Sequence, residues 1–103
     1  MTVIDDVKNK RDYWLTQKAA LTGSHQEEIN FHTVERDGLD VMITELQKKP
    51  QTTERDDAID VLVVRRGREQ DVLDQFAQIQ PLELASVQKE VDDLEKVVIE
   101  IEK

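Results

Sequence analysis

Residues 84–101, LASVQKEVDDLEKVVIEI, decide the fold class. Leu84, Val87, Val91, Leu94, Val98 and Ile101 recur at alternating three- and four-residue intervals without a miss. A strand turns every second residue to one face, so this alternation specifies an α-helix carrying one apolar seam. Written as heptads, Leu84, Val91 and Val98 take the a positions and Val87, Leu94 and Ile101 the d positions of a coiled-coil-like helix. Glu83, Glu90, Glu95 and Glu102 flank the seam. In a parallel pair of identical helices Glu90 would face Glu95 of the other chain, and the two would repel. The seam therefore calls for an antiparallel arrangement or a less acidic partner, and the first helix of the same chain is one candidate. Fewer than three full heptads is short for an independent coiled coil, which favours packing inside a bundle.

Outward from this segment, three interruptions divide the chain: Pro81 after Gln80, Pro50 after Lys48-Lys49, and Gly23 between Thr22 and Ser24. Proline just past a helix end or at a first turn, and glycine at a C-terminus, mark helix boundaries. The expected helices cover about 2–22, 24–48, 53–79 and 82–102. The first places Ile4, Val7, Trp14 and Leu21 on one stripe with Arg11 and Lys18, cations that must snorkel or meet a carboxylate. Ser24 and Glu27 have capping-box spacing and would open the second, which runs through Ile29, Val34, Leu39, Met42, Ile43 and Leu46 with Gly38 inside it. Gln51-Thr52-Thr53 offers N-caps for the third, and Glu54, Asp56 and Asp57 suit the positive end of its dipole. Val61-Leu62-Val63-Val64 has strand-like composition, but it is four residues long with no partner strand elsewhere, and reads as helix. The expectation is an all-α fold in a single domain, 1–103, of about four amphipathic helices forming antiparallel hairpins or an elongated bundle.

Composition sets bounds on what such a chain does. Of 103 residues, 38% are hydrophobic and only 4% aromatic, so the core is aliphatic and thin. Charged residues reach 36%, the profile of long helices. The net charge of −9 is uneven: residues 1–22 carry +1, 24–49 and 50–79 carry −3 each, and 80–103 carry −4. This difference between the ends suggests that the first helix lies near the last, or that the acidic end meets a basic partner. No segment is dominated by Lys and Arg, which disfavours direct nucleic-acid binding. The absence of cysteine excludes disulfide and thiolate chemistry. With no apolar leader at the N-terminus and no run of transmembrane length, the expected location is cytoplasmic.

Candidate chemistry is sparse. His25, Glu28 and His32 stand at helical spacing for metal ligands, but no matching set occurs elsewhere, and the favoured reading is a solvated first turn with two ordinary histidines. Arg65, Arg66 and Arg68 form the one basic cluster, able to grip a phosphate or a partner's carboxylates, or to pair with Glu69, Asp71 or the acidic last helix. Trp14, beside Tyr13, reads as an interface anchor or as a core side chain with its N–H at a polar edge. There is no glycine-rich phosphate loop and no serine–histidine–aspartate framework. No catalytic residue, metal, cofactor or small-molecule substrate is expected.

From Val34 onward the order of elements resembles the N-terminal helical part of the YqeY family, related to the tail domain of the GatB subunit of tRNA-dependent amidotransferase. The residues that carry the resemblance are Arg36 with Leu39 to Leu46, Thr53-Glu54 with Asp56-Asp57, Val61-Leu62, Arg65 to Arg68, Gln75-Phe76, and Glu90-Val91-Asp92-Asp93-Leu94-Glu95. The Tyr-Leu-Pro expected after Glu95 is replaced by Val97-Val98-Ile99, and the family's second helical part is missing. The resemblance implies an accessory role in tRNA amidation. The residues themselves favour a non-enzymatic interaction or structural module, oligomeric or bound to a protein partner: an adaptor, an assembly factor, or a component of a larger particle such as a phage one. Its candidate partner-binding residues are Leu84, Val87, Val91, Leu94, Val98, Ile101, Trp14, Arg65, Arg66 and Arg68.

Overall fold

A computed structural model of the chain describes residues 2–103. The described residues are all-helical: α1 spans Val3–Gln47, α2 spans Thr53–Glu102, and there is no strand among them. Residues 61–64 lie inside α2.

The number of helices corrects the sequence expectation, since two long helices stand where the sequence predicts about four shorter ones. Gly23 and Ser24 lie inside α1 and Pro81 inside α2. Gly23 does not adopt a positive φ, so it makes no left-handed C-terminal cap, and Ser24 does not open a new helix. The reason lies in the apolar stripe, which runs through both sites. In α1 the less exposed residues include Trp14, Lys18, Leu21, His25 and Ile29, and in α2 Leu73, Phe76, Gln80, Leu84 and Val87. Each series takes two four-residue steps in succession, at 21–25–29 and at 76–80–84, and then resumes its 3–4 alternation. Continued burial on either side outweighs roughly 1 kcal/mol for glycine and roughly 3 kcal/mol for proline in a helix interior.

At Pro50 the same residue type does end a helix. No stripe position falls between Leu46 and Arg55, and the local signals act together. Lys48 and Lys49 donate backbone N–H bonds to the carbonyls of Glu45 and Leu46 at 3.3 and 3.1 Å, closing α1 in a tightened turn. Thr52 then caps α2, its Oγ1 accepting the Arg55 N–H at 3.0 Å. Arg55 also reaches back to the Lys49 carbonyl at 3.0 Å. At the start of α1, Thr2 and Asp5 form a reciprocal capping box, 3.2 and 3.3 Å.

The chain groups into two compact units, the first combining the stretch up to Gln26 with Gln78–Lys103, the second comprising Glu27–Ala77. In the first, α1 and α2 segments run antiparallel: Arg11 meets Glu95 and Lys18 meets Gln88, seven residues forward on one helix and seven back on the other. In the second, Arg36 meets Gln70 and Asp40 meets Arg66, four forward and four back, around the 48–52 turn. The core is thin. Val91 and Val98, 7% and 2% exposed, are the buried hydrophobic residues among those described, and His25 and Gln80 are the buried polar ones.

Candidate interaction surface

Within the first unit, the seam that decided the fold class turns toward α1. Val91 and Val98 are buried, Leu84, Val87 and Leu94 half-buried, and Ile101 is 44% exposed. Trp14, half-buried, lies on the α1 side of the same unit, its ring edge-on to Tyr13 at 5.5 Å. Most of these candidate docking residues are therefore covered by the chain itself.

Polar rungs flank the seam. The Arg11 guanidinium donates to Glu95 Oε2 at 2.8 Å, which holds it above its ordinary value, with Asp12 adding to the effect. Lys18 Nζ donates to Gln88 Oε1 at 2.6 Å, and Lys8 pairs with Glu102 at 2.7 Å. Arg11 and Lys18 are thus the cations on an apolar stripe that need acceptors, and the acidic last segment supplies them. His25 is 6% exposed; its Nε2 lies 2.9 Å from Glu83 Oε2, and its Nδ1 is buried without a hydrogen-bond partner. The solvated-turn reading of His25 fails here, and a further four-residue step along the stripe from Leu21 was the signal that places it.

In the second unit His32 Nδ1 pairs with Glu69 Oε2, and its ring lies edge-on to Phe31 and Phe76, at 5.1 and 5.5 Å. With His25 and His32 each engaged by a carboxylate, no group of three or more His, Cys, Asp or Glu side chains among the described residues is arranged to hold a metal ion.

The basic cluster divides. Arg66 turns toward α1 and pairs with Asp40 at 3.1 Å. Glu69, one of the acids expected to neutralise the cluster, is held by His32. Arg65 and Arg68 are exposed and form no ion pair among the described residues. Together with Asp60, Val61 and Val64 they line an open depression of about 370 Å³ on α2. Val61 and Val64 are each 55% exposed. The sequence singled out the arginines but not Val64, which entered its reading only within the strand-like run 61–64, nor Val61, which entered only there and in the family resemblance. Among the described residues no helix is long and apolar enough to cross a membrane.

Against protein-family models, curated proteins and solved structures the chain finds no match.

Proposed function

We propose that this chain is a non-enzymatic helical interaction module: an adaptor, an assembly factor or a component of a larger complex, including phage assemblies, that acts by docking helical faces. The observation that carries this reading is the imbalance between interior and surface. Two hydrophobic residues are buried among those described, whereas fifteen large ones are exposed, among them Val61, Val64, Val41, Met42 and Leu82. Aliphatic side chains left in water at this frequency gain about 25 cal/mol per Å² when a partner covers them. Coiled-coil packing of the 84–101 seam supplies a rigid scaffold for such faces. Light scattering across a concentration series, with affinity recovery from the source cells, tests the proposal. A mass above the monomer or a stoichiometric protein partner is expected; a strict monomer that recovers no protein would refute it.

The second reading, a YqeY-like accessory domain in tRNA amidation, is favoured by the two exposed arginines without ion pairs, which are able to take phosphates. A gel shift with tRNA and a salt titration separates the two. Binding that weakens steeply with salt supports the accessory role, and no binding at low salt removes it.

A further inference from the structure

In the string 57–68, DAIDVLVVRRGR, the outward-facing positions mirror one another about the centre, with acid exchanged for base at 57/68 and 60/65 and valine repeated at 61/64, while Ile59 and Arg66 break the mirror on the side turned toward α1. On that face Asp57, Asp60 and Val61 from the N-terminal end and Arg68, Arg65 and Val64 from the C-terminal end lie at matching distances from a centre between Leu62 and Val63; Val63, also exposed, lies outside the face. We propose that this face of α2 is a docking site for a second copy of the same chain, packed antiparallel about a twofold axis through that centre. The proposal deepens the interaction-module reading and rests on it.

The helix geometry puts these residues together. At 3.6 residues per turn, positions 57, 61, 64, 65 and 68 share one face. Arg66, Glu69 and Gln70, which contact α1, lie on the other side of the helix. None of Asp57, Asp60, Arg65 and Arg68 forms an ion pair among the described residues. All four charges are available to an outside partner.

The charge order then selects the occupant. A polyanion drawn to Arg65 and Arg68 meets two aspartates one turn further on, and a basic peptide drawn to the aspartates meets the arginines. A parallel copy sets Arg68 beside Arg68 and Asp57 beside Asp57 of the second copy at the centre of the face. An antiparallel copy brings Asp57 level with Arg68 of the second copy, twice by symmetry, and layers Val61 against its Val64. Asp60 and Arg65 lie on opposite flanks of the face, so the central Asp57–Arg68 pairs carry the charge complementarity. The contact covers three turns, about 17 Å. Beyond it Glu54 comes level with Asp71 of the second copy, and these like charges bound the interface, so association is weak and concentration-dependent.

Charge reversal gives a test that does not depend on how tight the contact is. Asp57→Arg and Arg68→Asp are surface changes, with folding checked by helical circular dichroism. Each alone sets like charges together twice and weakens self-association by about tenfold or more in sedimentation equilibrium. An equimolar mixture of the two variants regenerates both opposite pairs and associates at least as well as the parent chain, while neither does so alone. Asp71→Lys removes the bounding repulsion and tightens the parent's association. Reversal variants that associate as the parent does, or a mixture that gains nothing, would overturn this face while leaving the module reading standing. A parent chain that stays monomeric throughout overturns the face as well, and recovery of a different protein partner then decides the module reading separately.

Discussion

His25 is 6% exposed, with one ring nitrogen on Glu83 and the other buried without a partner. With its proton on Nε2, donated to Glu83, the buried Nδ1 holds a lone pair that no donor reaches, and an unsatisfied buried polar atom costs about 1–3 kcal/mol. Glu83 is half exposed and finds water if the ring is removed. His25→Leu is therefore expected to raise stability by about 1 kcal/mol in urea unfolding; a loss of that size would show that the imidazole–carboxylate contact contributes net stability. Asp93 illustrates the opposite case at the surface. The hydrogen bond from Lys89, 2.8 Å, holds its carboxyl below the ordinary 3.8. A depressed acid contributes stability above its unfolded value and loses it as pH falls through the folded one. The difference in stability between the parent and Asp93→Asn should be constant from neutral pH downward and close below 3.8 as the carboxylate takes up its proton. A gap that persists in acid would show that the ion pair is not its source.

Helix α2 carries its proline in the interior, where residue 81 offers no N–H to the carbonyl four residues earlier, at Ala77. Pro81 is exposed, so the ring contributes little packing to set against that loss. Pro81→Ala should stabilise the chain by up to about 3 kcal/mol, and Gly23→Ala, at a site where an added Cβ meets nothing within 4 Å, by roughly 1 kcal/mol. Thermal unfolding checks both, and no gain at Pro81 would mean that a local distortion of α2 is needed. These two residues also show where the sequence was legible and where it was not. The helical class followed from the 84–101 spacing, because that pattern and the burial of Val91 and Val98 are one fact seen twice. The boundary at 48–52 followed too, since Pro50, the lysines and the Thr52 cap coincide where no stripe position competes. Gly23 and Pro81 misled because a cap signal is local, whereas the stripe that overrides it is read only by following 21–25–29 and 76–80–84 through polar residues. The antiparallel pairing of the first segment with the last was foreshadowed by their opposite net charges, which the Arg11–Glu95 and Lys8–Glu102 pairs realise.

For the molecule as a whole, the surface carries more of the information than the core. The arginines were visible in the sequence as a cluster, but their division was not: Arg66 is neutralised by Asp40 from the other helix, a partner twenty-six residues away that no local pattern announces. That leaves Arg65 and Arg68 without ion pairs among the described residues, and only with them separated from Arg66 does the mirrored arrangement with Asp57 and Asp60 come into view. The seam in the first unit has a calorimetric consequence. Its rungs are Arg11–Glu95, Lys18–Gln88 and His25–Glu83, so much of what melting returns to water is already polar. Hydrating hydrocarbon raises the heat capacity and hydrating polar groups lowers it. Scanning calorimetry should therefore give an increment below the usual ~12–15 cal/mol/K per residue. Such a chain has a broad, flat stability curve and loses little of its folding free energy on cooling; an increment at or above the usual value would mean that the wet seam is drier than its rungs suggest.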